Sequence, residues 1–128
     1  MDSKFCVSLK TEKLLKEKGY DRKCRAFYQN GEFRPYSFTR NGISMYNKNA
    51  APAYMMQYSA PTKAEAIDWL ESKGMLIEIS IDIDECAWMF NIVDKEKFIT
   101  IGHSKDGEFF TDRLEAEEAA IIKALELL

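Results

Sequence analysis

The strongest periodicity in the chain runs from residue 77 to residue 84, where Ile77, Ile79, Ile81 and Ile83 alternate with Glu78, Ser80, Asp82 and Asp84. A period of two puts the isoleucines on one side of an extended backbone and the polar residues on the other, so the segment is predicted to be a half-buried strand. Cys86 to Val93 follows as a second strand, with Trp88, Phe90 and Ile92 on one face. Phe98 to Ile101 is a third, across the polar turn Asp94-Lys95-Glu96-Lys97. Strands joined by turns this short predict an antiparallel meander.

Helical patterns flank the meander. Thr62 stands three residues before Glu65, a capping box, with Pro61 ahead of it. The helix it opens is predicted to run to about Lys73 and to stop at Gly74, burying Ala66, Ile67 and Leu70 with Trp69 on the flank. At the far end Asp112 precedes Glu115 by three, and Glu117 and Glu118 add negative charge near the helix start, where the dipole favours it. Leu114, Ile121, Leu125 and Leu128 make its apolar stripe, widened by Ala124. A first, shorter helix begins at Ser8 or Thr11 and ends before Gly19, with Leu9, Leu14 and Leu15 as its apolar strip.

Between the first two helices the pattern changes. Cys24 to Tyr28 and Phe33 to Phe38 flank Gln29-Asn30-Gly31-Glu32, and Asn-Gly supplies the positive φ angles of a tight hairpin. Pro35 has no amide hydrogen, so the second strand is an edge or is interrupted there. From Arg40 to Ala60 no period survives, and Met45, Tyr46, Tyr54, Met55, Met56 and Tyr58 punctuate a stretch read as irregular. The expected fold is α+β, a mainly antiparallel sheet made of an N-terminal hairpin and a C-terminal three-strand meander, with three helices packed on it. The order is α-β-β-α-β-β-β-α, in one domain spanning residues 1–128.

Composition adds constraints. A chain of 128 residues with 46% hydrophobic and 30% charged residues can bury a core without disulfide staples. No apolar run approaches the roughly 20 residues that span a bilayer, and the N-terminus lacks a signal-peptide pattern, so a cytoplasmic location and no membrane partner are expected. Cys6, Cys24 and Cys86 are odd in number and widely spaced, which suits reduced thiols. The net charge of −3 hides an asymmetry: residues 1–63 carry 12 Lys/Arg and 5 Asp/Glu, a net of +7, while residues 64–128 carry 6 and 16, a net of −10. Either the halves soften each other's fields or the basic half is kept for an anionic partner.

Candidate chemistry is thin. His103 is the only histidine, which excludes a multi-histidine metal site; beside the Ser104-Lys105-Asp106-Gly107 turn it reads as a surface residue more readily than as a general base. Asp82, Asp84 and Glu85 would suit a hard cation, but the alternation makes Asp82 and Asp84 the wet face of a strand. Cys24 lies among Arg22, Lys23 and Arg25, which can lower a thiol pKa, yet no base partner is recognisable. The scattered glycines form neither a phosphate loop nor a dinucleotide fingerprint. No cofactor and no metal are expected.

One constellation stands out. Between Tyr20 and Tyr58, Arg22, Lys23, Arg25, Arg34, Arg40 and Lys48 interleave with Phe27, Tyr28, Tyr36, Phe38, Tyr46, Tyr54 and Tyr58. Mixtures of this kind bind single strands through phosphate neutralisation and base stacking, and Tyr with Met also serves for gripping a protein. The chain further resembles a family of small proteins encoded in Bacteroides-type genomes and their prophages. The resemblance rests on Val7-Ser8-Leu9 through Leu14-Leu15-Lys16-Glu17-Lys18-Gly19-Tyr20-Asp21, on Cys24-Arg25-Ala26-Phe27-Tyr28, on Ala60-Pro61-Thr62 with Ile67-Asp68-Trp69-Leu70, and on the Glu-Ala-rich terminal helix. It implies a mobile-element context and assigns no activity.

The functional expectation is a non-enzymatic domain that contacts another protein through the hairpin and the 40–60 segment. Its candidate contact residues are Arg22, Arg25, Tyr28, Arg34, Tyr36, Tyr46, Tyr54, Met55 and Tyr58. The alternative is a single-stranded nucleic-acid binder using the same segment. From Thr62 onward the chain reads as scaffold.

Overall fold

The computed structural model describes residues 2–35, 38–39, 42–43, 45, 47–52, 55–105 and 108–128. Among them the chain forms three α-helices and two three-stranded antiparallel sheets, an α+β fold. It divides into two compact units, residues 1–62 and 63–128.

The first unit opens with a 3₁₀ turn, Ser3–Phe5, and helix α1, Leu9–Glu17. Ser8 is the N-cap: its hydroxyl accepts the Thr11 amide at 3.3 Å, and Gly19, at φ +90°, ends the helix in the left-handed conformation. Strands β1 (Ala26–Gln29) and β2 (Glu32–Arg34) make the expected hairpin. Asn30 and Gly31, at φ 50° and 83°, form its two-residue turn. β2 stops at Arg34, where Pro35 removes the next amide hydrogen, and it is the edge of its sheet.

The segment read as irregular is partly ordered. β3 (Phe38–Thr39) pairs with β4 (Gly42–Ile43), Lys48–Ala50 forms a 3₁₀ turn, and β5 (Gln57–Ala60) completes a sheet of order β2-β1-β5. β5 escaped the sequence pattern because Ser59 and Ala60 are both buried, so neighbouring positions do not alternate in polarity. The core gathers Cys6, Ala26, Tyr28 and Ala60, with Leu9, Phe33 and Tyr58 against them. Helix α1 buries Thr11, Glu12 and Leu15, while Leu9 and Leu14 are only half-buried, so the expected leucine strip is corrected to a face that carries two polar residues.

The second unit contains α2 (Lys63–Ser72), β6 (Met75–Asp82), β7 (Ala87–Asp94), β8 (Thr100–His103) and α3 (Arg113–Leu127). The strands form the expected meander, order β6-β7-β8. Ile77, Ile79 and Ile81 stand opposite Ile92, Phe90 and Trp88, so these six share one face. α3 packs on that face: a Cβ built on Gly102, the partner of Ile92, would meet Leu127 Cδ1 at 2.9 Å. The third strand starts two residues later than expected, because Phe98, at φ 53°, belongs to the turn.

Two helix faces also differ from expectation. In α2 the buried arc is Lys63, Ala66, Trp69 and Leu70, which moves Trp69 from the flank into the core at 2% exposure. In α3 it is Ala116, Ala120, Ile121, Ala124 and Leu125, while Leu114 is half-buried and Leu128 exposed. Alanines at i, i+4 and i+8 form one ridge with no side chain larger than a methyl, which lets the helix lie close to its neighbours. Asp112 is the N-cap, its carboxylate accepting the Leu114 amide at 2.6 Å.

Candidate functional site

The aromatic and cationic residues of the first unit are largely engaged with one another. Tyr28 is a core residue: its hydroxyl donates to the Val7 carbonyl at 2.8 Å and its ring meets Phe33 edge-on at 5.5 Å. Tyr58, its cross-strand partner, lies under two ammonium groups, Lys16 at 4.8 Å and Lys13 at 5.9 Å. Lys16 also donates to the carbonyls of Ala51 and Gln57 at 3.2 and 3.3 Å. On the opposite face of β1, Phe27 carries the Lys48 ammonium at 4.7 Å. Arg34 pairs with Glu32 at 3.1 Å, both largely exposed. Arg25 and Met55 are exposed and Arg22 is half-buried; Tyr36, Tyr46, Tyr54 and Arg40 lie outside the described residues. The fold thus places Tyr28 in the core with a half-buried Tyr58 against it and leaves Arg25, Arg34 and Met55 as surface groups.

Two polar residues that the sequence did not single out hold this unit together. Asn49 donates to the Tyr20 carbonyl at 3.1 Å and accepts the Ser59 amide at 2.9 Å, while the Ser59 hydroxyl accepts the amides of Lys48 and Asn49 at 3.1 and 3.3 Å. The 3₁₀ turn is therefore latched to β5 by side chains standing in for a ladder. Glu12 is fully buried, and among the described residues neither carboxylate oxygen has a hydrogen-bond partner. Burial raises its pKa to about 8; the Asn49 side chain and the Lys16 ammonium pull the other way and do not offset it. At neutral pH this carboxyl is mostly a neutral acid.

The groups considered for chemistry sit in ordinary surroundings. Cys24 is buried, its sulfur 3.6 Å from the Tyr20 hydroxyl. The Asp82 carboxylate accepts the amides of Asp84 and Glu85 at 3.1 and 3.2 Å, closing the turn after β6. His103 is the last residue of β8 and is exposed, as the sequence suggests; its Nδ1 donates to the Ser104 carbonyl at 2.6 Å. Ser80, Asp82, Asn91, His103, Lys105 and Glu108 line a groove of about 380 Å³ on the sheet face away from α3. Among the described residues no hydrogen bond joins His103 to Asp82 or Ser80, and no group of three His, Cys, Asp or Glu is placed to hold a metal ion.

The feature of the second unit that the alternation concealed is its edge. Trp88 exchanges both backbone hydrogen bonds with Phe110, the Phe90 carbonyl accepts the Ser104 amide, and the Asp94 amide donates to Ile99, so the even-numbered residues of β7 turn toward β8. The odd-numbered residues of β7 therefore bond β6 through Leu76, Glu78, Ser80 and Asp82, whose partners they are. This leaves the amides and carbonyls of Met75, Ile77, Ile79 and Ile81 pointing outward, and among the described residues no backbone partner meets them. β6 is eight residues long, pairs with β7 without a bulge, and contains no proline or lysine. It lacks the devices that commonly blunt an edge, apart from Glu78 and Asp82. Ile81 is 57% exposed and Ile83 beyond it 83%. In the sequence the isoleucine alternation runs on into the turn, past the point where core can cover it, which marks an exposed strand end without showing which side is the edge.

Among the described residues no helix is long and apolar enough to cross a membrane. Comparison of the chain with protein-family models, with curated proteins and with solved structures finds no match.

Proposed function

We propose that this chain is a non-enzymatic protein-binding domain, of the prophage or mobile-element kind it resembles, and that it takes an extended segment of another protein along the free edge of β6. The observation that carries this reading is the row of outward backbone groups at Met75, Ile77, Ile79 and Ile81, eight residues of strand with no partner on that side among the described residues. Adding a strand there satisfies those groups and covers Ile81, which gives affinity through the main chain whatever the partner's fold. The alternative, single-stranded nucleic acid on the basic first unit, draws less support. Stacking requires open aromatic faces, and the rings of Tyr58 and Phe27 carry lysines of the same unit.

A photo-reactive phenylalanine analogue at position 83, in cells that express the chain, tests the proposal. The expected result is a covalent adduct with another polypeptide that disappears when Ile81→Pro removes an outward amide. Absence of adducts, adducts that persist in Ile81→Pro, or the same adducts from position 126 on α3 would each overturn it.

A further inference from the structure

We infer that the occupant of the β6 edge is a basic, β-branched strand, with Lys or Arg at the two positions facing Glu78 and Asp82 and valine or isoleucine between them. The inference rests on the edge-binding reading above and adds the chemistry of the partner. Successive side chains of an added strand fall alternately on the two faces of the sheet. On the face packed by α3 they continue the row of Ile77, Ile79 and Ile81, which favours β-branched apolar residues. On the other face they stand beside Leu76, Glu78, Ser80 and Asp82, two of which are carboxylates four residues apart, with Asp84 and Glu85 following in the turn.

Two further observations select a basic partner over a second copy of this chain. The unit that carries the edge is strongly acidic, with 7 Lys/Arg against 16 Asp/Glu over residues 63–128, so pairing two such edges brings like charges to a common seam. The groove of about 380 Å³ on the same sheet face begins at Ser80 and Asp82 and also contains Glu108, with Lys105 as its cation. A long basic side chain entering beside Ser80 finds room and two carboxylates. The carboxylates thus reject self-pairing and admit the complementary strand.

Fluorescence anisotropy with two labelled peptides tests this. One repeats valine-lysine-valine-threonine; the other has glutamate in place of lysine. At low salt the lysine peptide is expected to bind roughly tenfold more tightly than the glutamate peptide, the effect of two cross-strand charge pairs. Glu78→Gln with Asp82→Asn should bring the two peptides together, and the Asn retains the oxygen that closes the turn. Equal binding of both peptides, abolished by Ile81→Pro, would overturn the charge rule and leave the edge reading standing. Binding that survives Ile81→Pro in a variant with unchanged circular dichroism would overturn both. Failure of the lysine peptide to bind, or recovery of a second copy of this chain as the adduct at position 83, would overturn the inference.

Discussion

Each unit sets helical structure against a three-stranded antiparallel sheet, but the two are held by different interactions. In residues 1–62 the buried set includes Thr11, Glu12 and Ser59, and the 3₁₀ turn is pinned by Asn49 and by Lys16. In residues 63–128 the interior is mainly Trp69, Leu70, Phe90, Ile92, Ile121 and Leu125 around an alanine ridge, with Lys63 and Ser104 as its buried polar residues. The first unit carries 11 Lys/Arg against 5 Asp/Glu, and the second the reverse imbalance. Similar architecture therefore tolerates two kinds of interior. The polar one is sensitive to pH and to single hydrogen-bonding groups; the apolar one is sensitive to volume.

The sharpest way to probe the apolar side is to empty it. Trp69→Ala removes a side chain 2% exposed and is expected to destabilise the second unit by about 3–5 kcal/mol, by the same amount at pH 5 and pH 8. Urea unfolding followed by far-ultraviolet circular dichroism measures it. A cost that changed with pH would mean that the second unit also depends on a titrating group, and the contrast would fail.

The first unit should respond the other way. Glu12 has an ordinary pKa of 4.5 when exposed and about 8 when folded. Below pH 4.5 both states hold the proton and the residue costs little. Between 4.5 and 8 the unfolded chain ionises while the folded one stays protonated, so the folded state binds more protons and stability falls as pH rises. At pH 7 the loss amounts to about 3 kcal/mol. Glu12→Gln should abolish it: the variant is expected to be more stable than the parent at pH 7 by about that amount, with the difference vanishing near pH 4. Urea midpoints at several pH values decide it, and parallel curves for the two proteins would show that Glu12 is ionised and paired.

These two residues also mark what could be read from the chain before its structure. Trp69 was legible as a residue of a capped helix, misplaced only by its rotation about the axis, because a helix periodicity fixes which residues cluster better than which of them faces the neighbour. The meander was legible for a stronger reason: Ile77, Ile79 and Ile81 alternate with polar residues on a sheet with one covered face. β5 was not, because Gln57-Tyr58-Ser59-Ala60 does not alternate and buries neighbouring residues. Glu12 was invisible, since nothing in Thr11-Glu12-Lys13 distinguishes a buried acid from a solvated one. The edge of β6 was hidden for a different reason again. Alternation reports faces, and an edge is a property of the pairing order.

A smaller effect tests whether the side-chain latch of the first unit matters as much as its placement suggests. Asn49→Ala removes the bonds to the Tyr20 carbonyl and the Ser59 amide and leaves those two backbone groups unpaired by it. A loss of about 2 kcal/mol is expected, within the range for part-buried backbone groups deprived of a partner. Asn49→Asp should restore the acceptor at Ser59 and not the donor to Tyr20, and so recover part of the loss. Thermal unfolding of the three proteins at one pH separates these outcomes; no loss in the alanine variant would make the polar interior of the first unit incidental.

The smallest expected effect bears on the edge of the second unit. Proline at position 81 deletes an amide that points away from β7, so no ladder bond is lost. Ile81 is mostly exposed, so little core is lost with it. It is the last residue but one of β6, where the turn can absorb the fixed φ of proline. A cost of about 1 kcal/mol or less is expected from urea unfolding, in line with substitutions at exposed sites. Ser80→Pro provides the internal contrast. One residue earlier the amide faces Met89 and lies on the bonded side, so the same substitution breaks the ladder and should cost about 3 kcal/mol. A large cost at 81 and a small one at 80 would invert the assignment of outward amides. The strand would then present the groups of Leu76, Glu78, Ser80 and Asp82 to a partner. The apolar and basic faces of the added strand would keep their chemistry but lose their register.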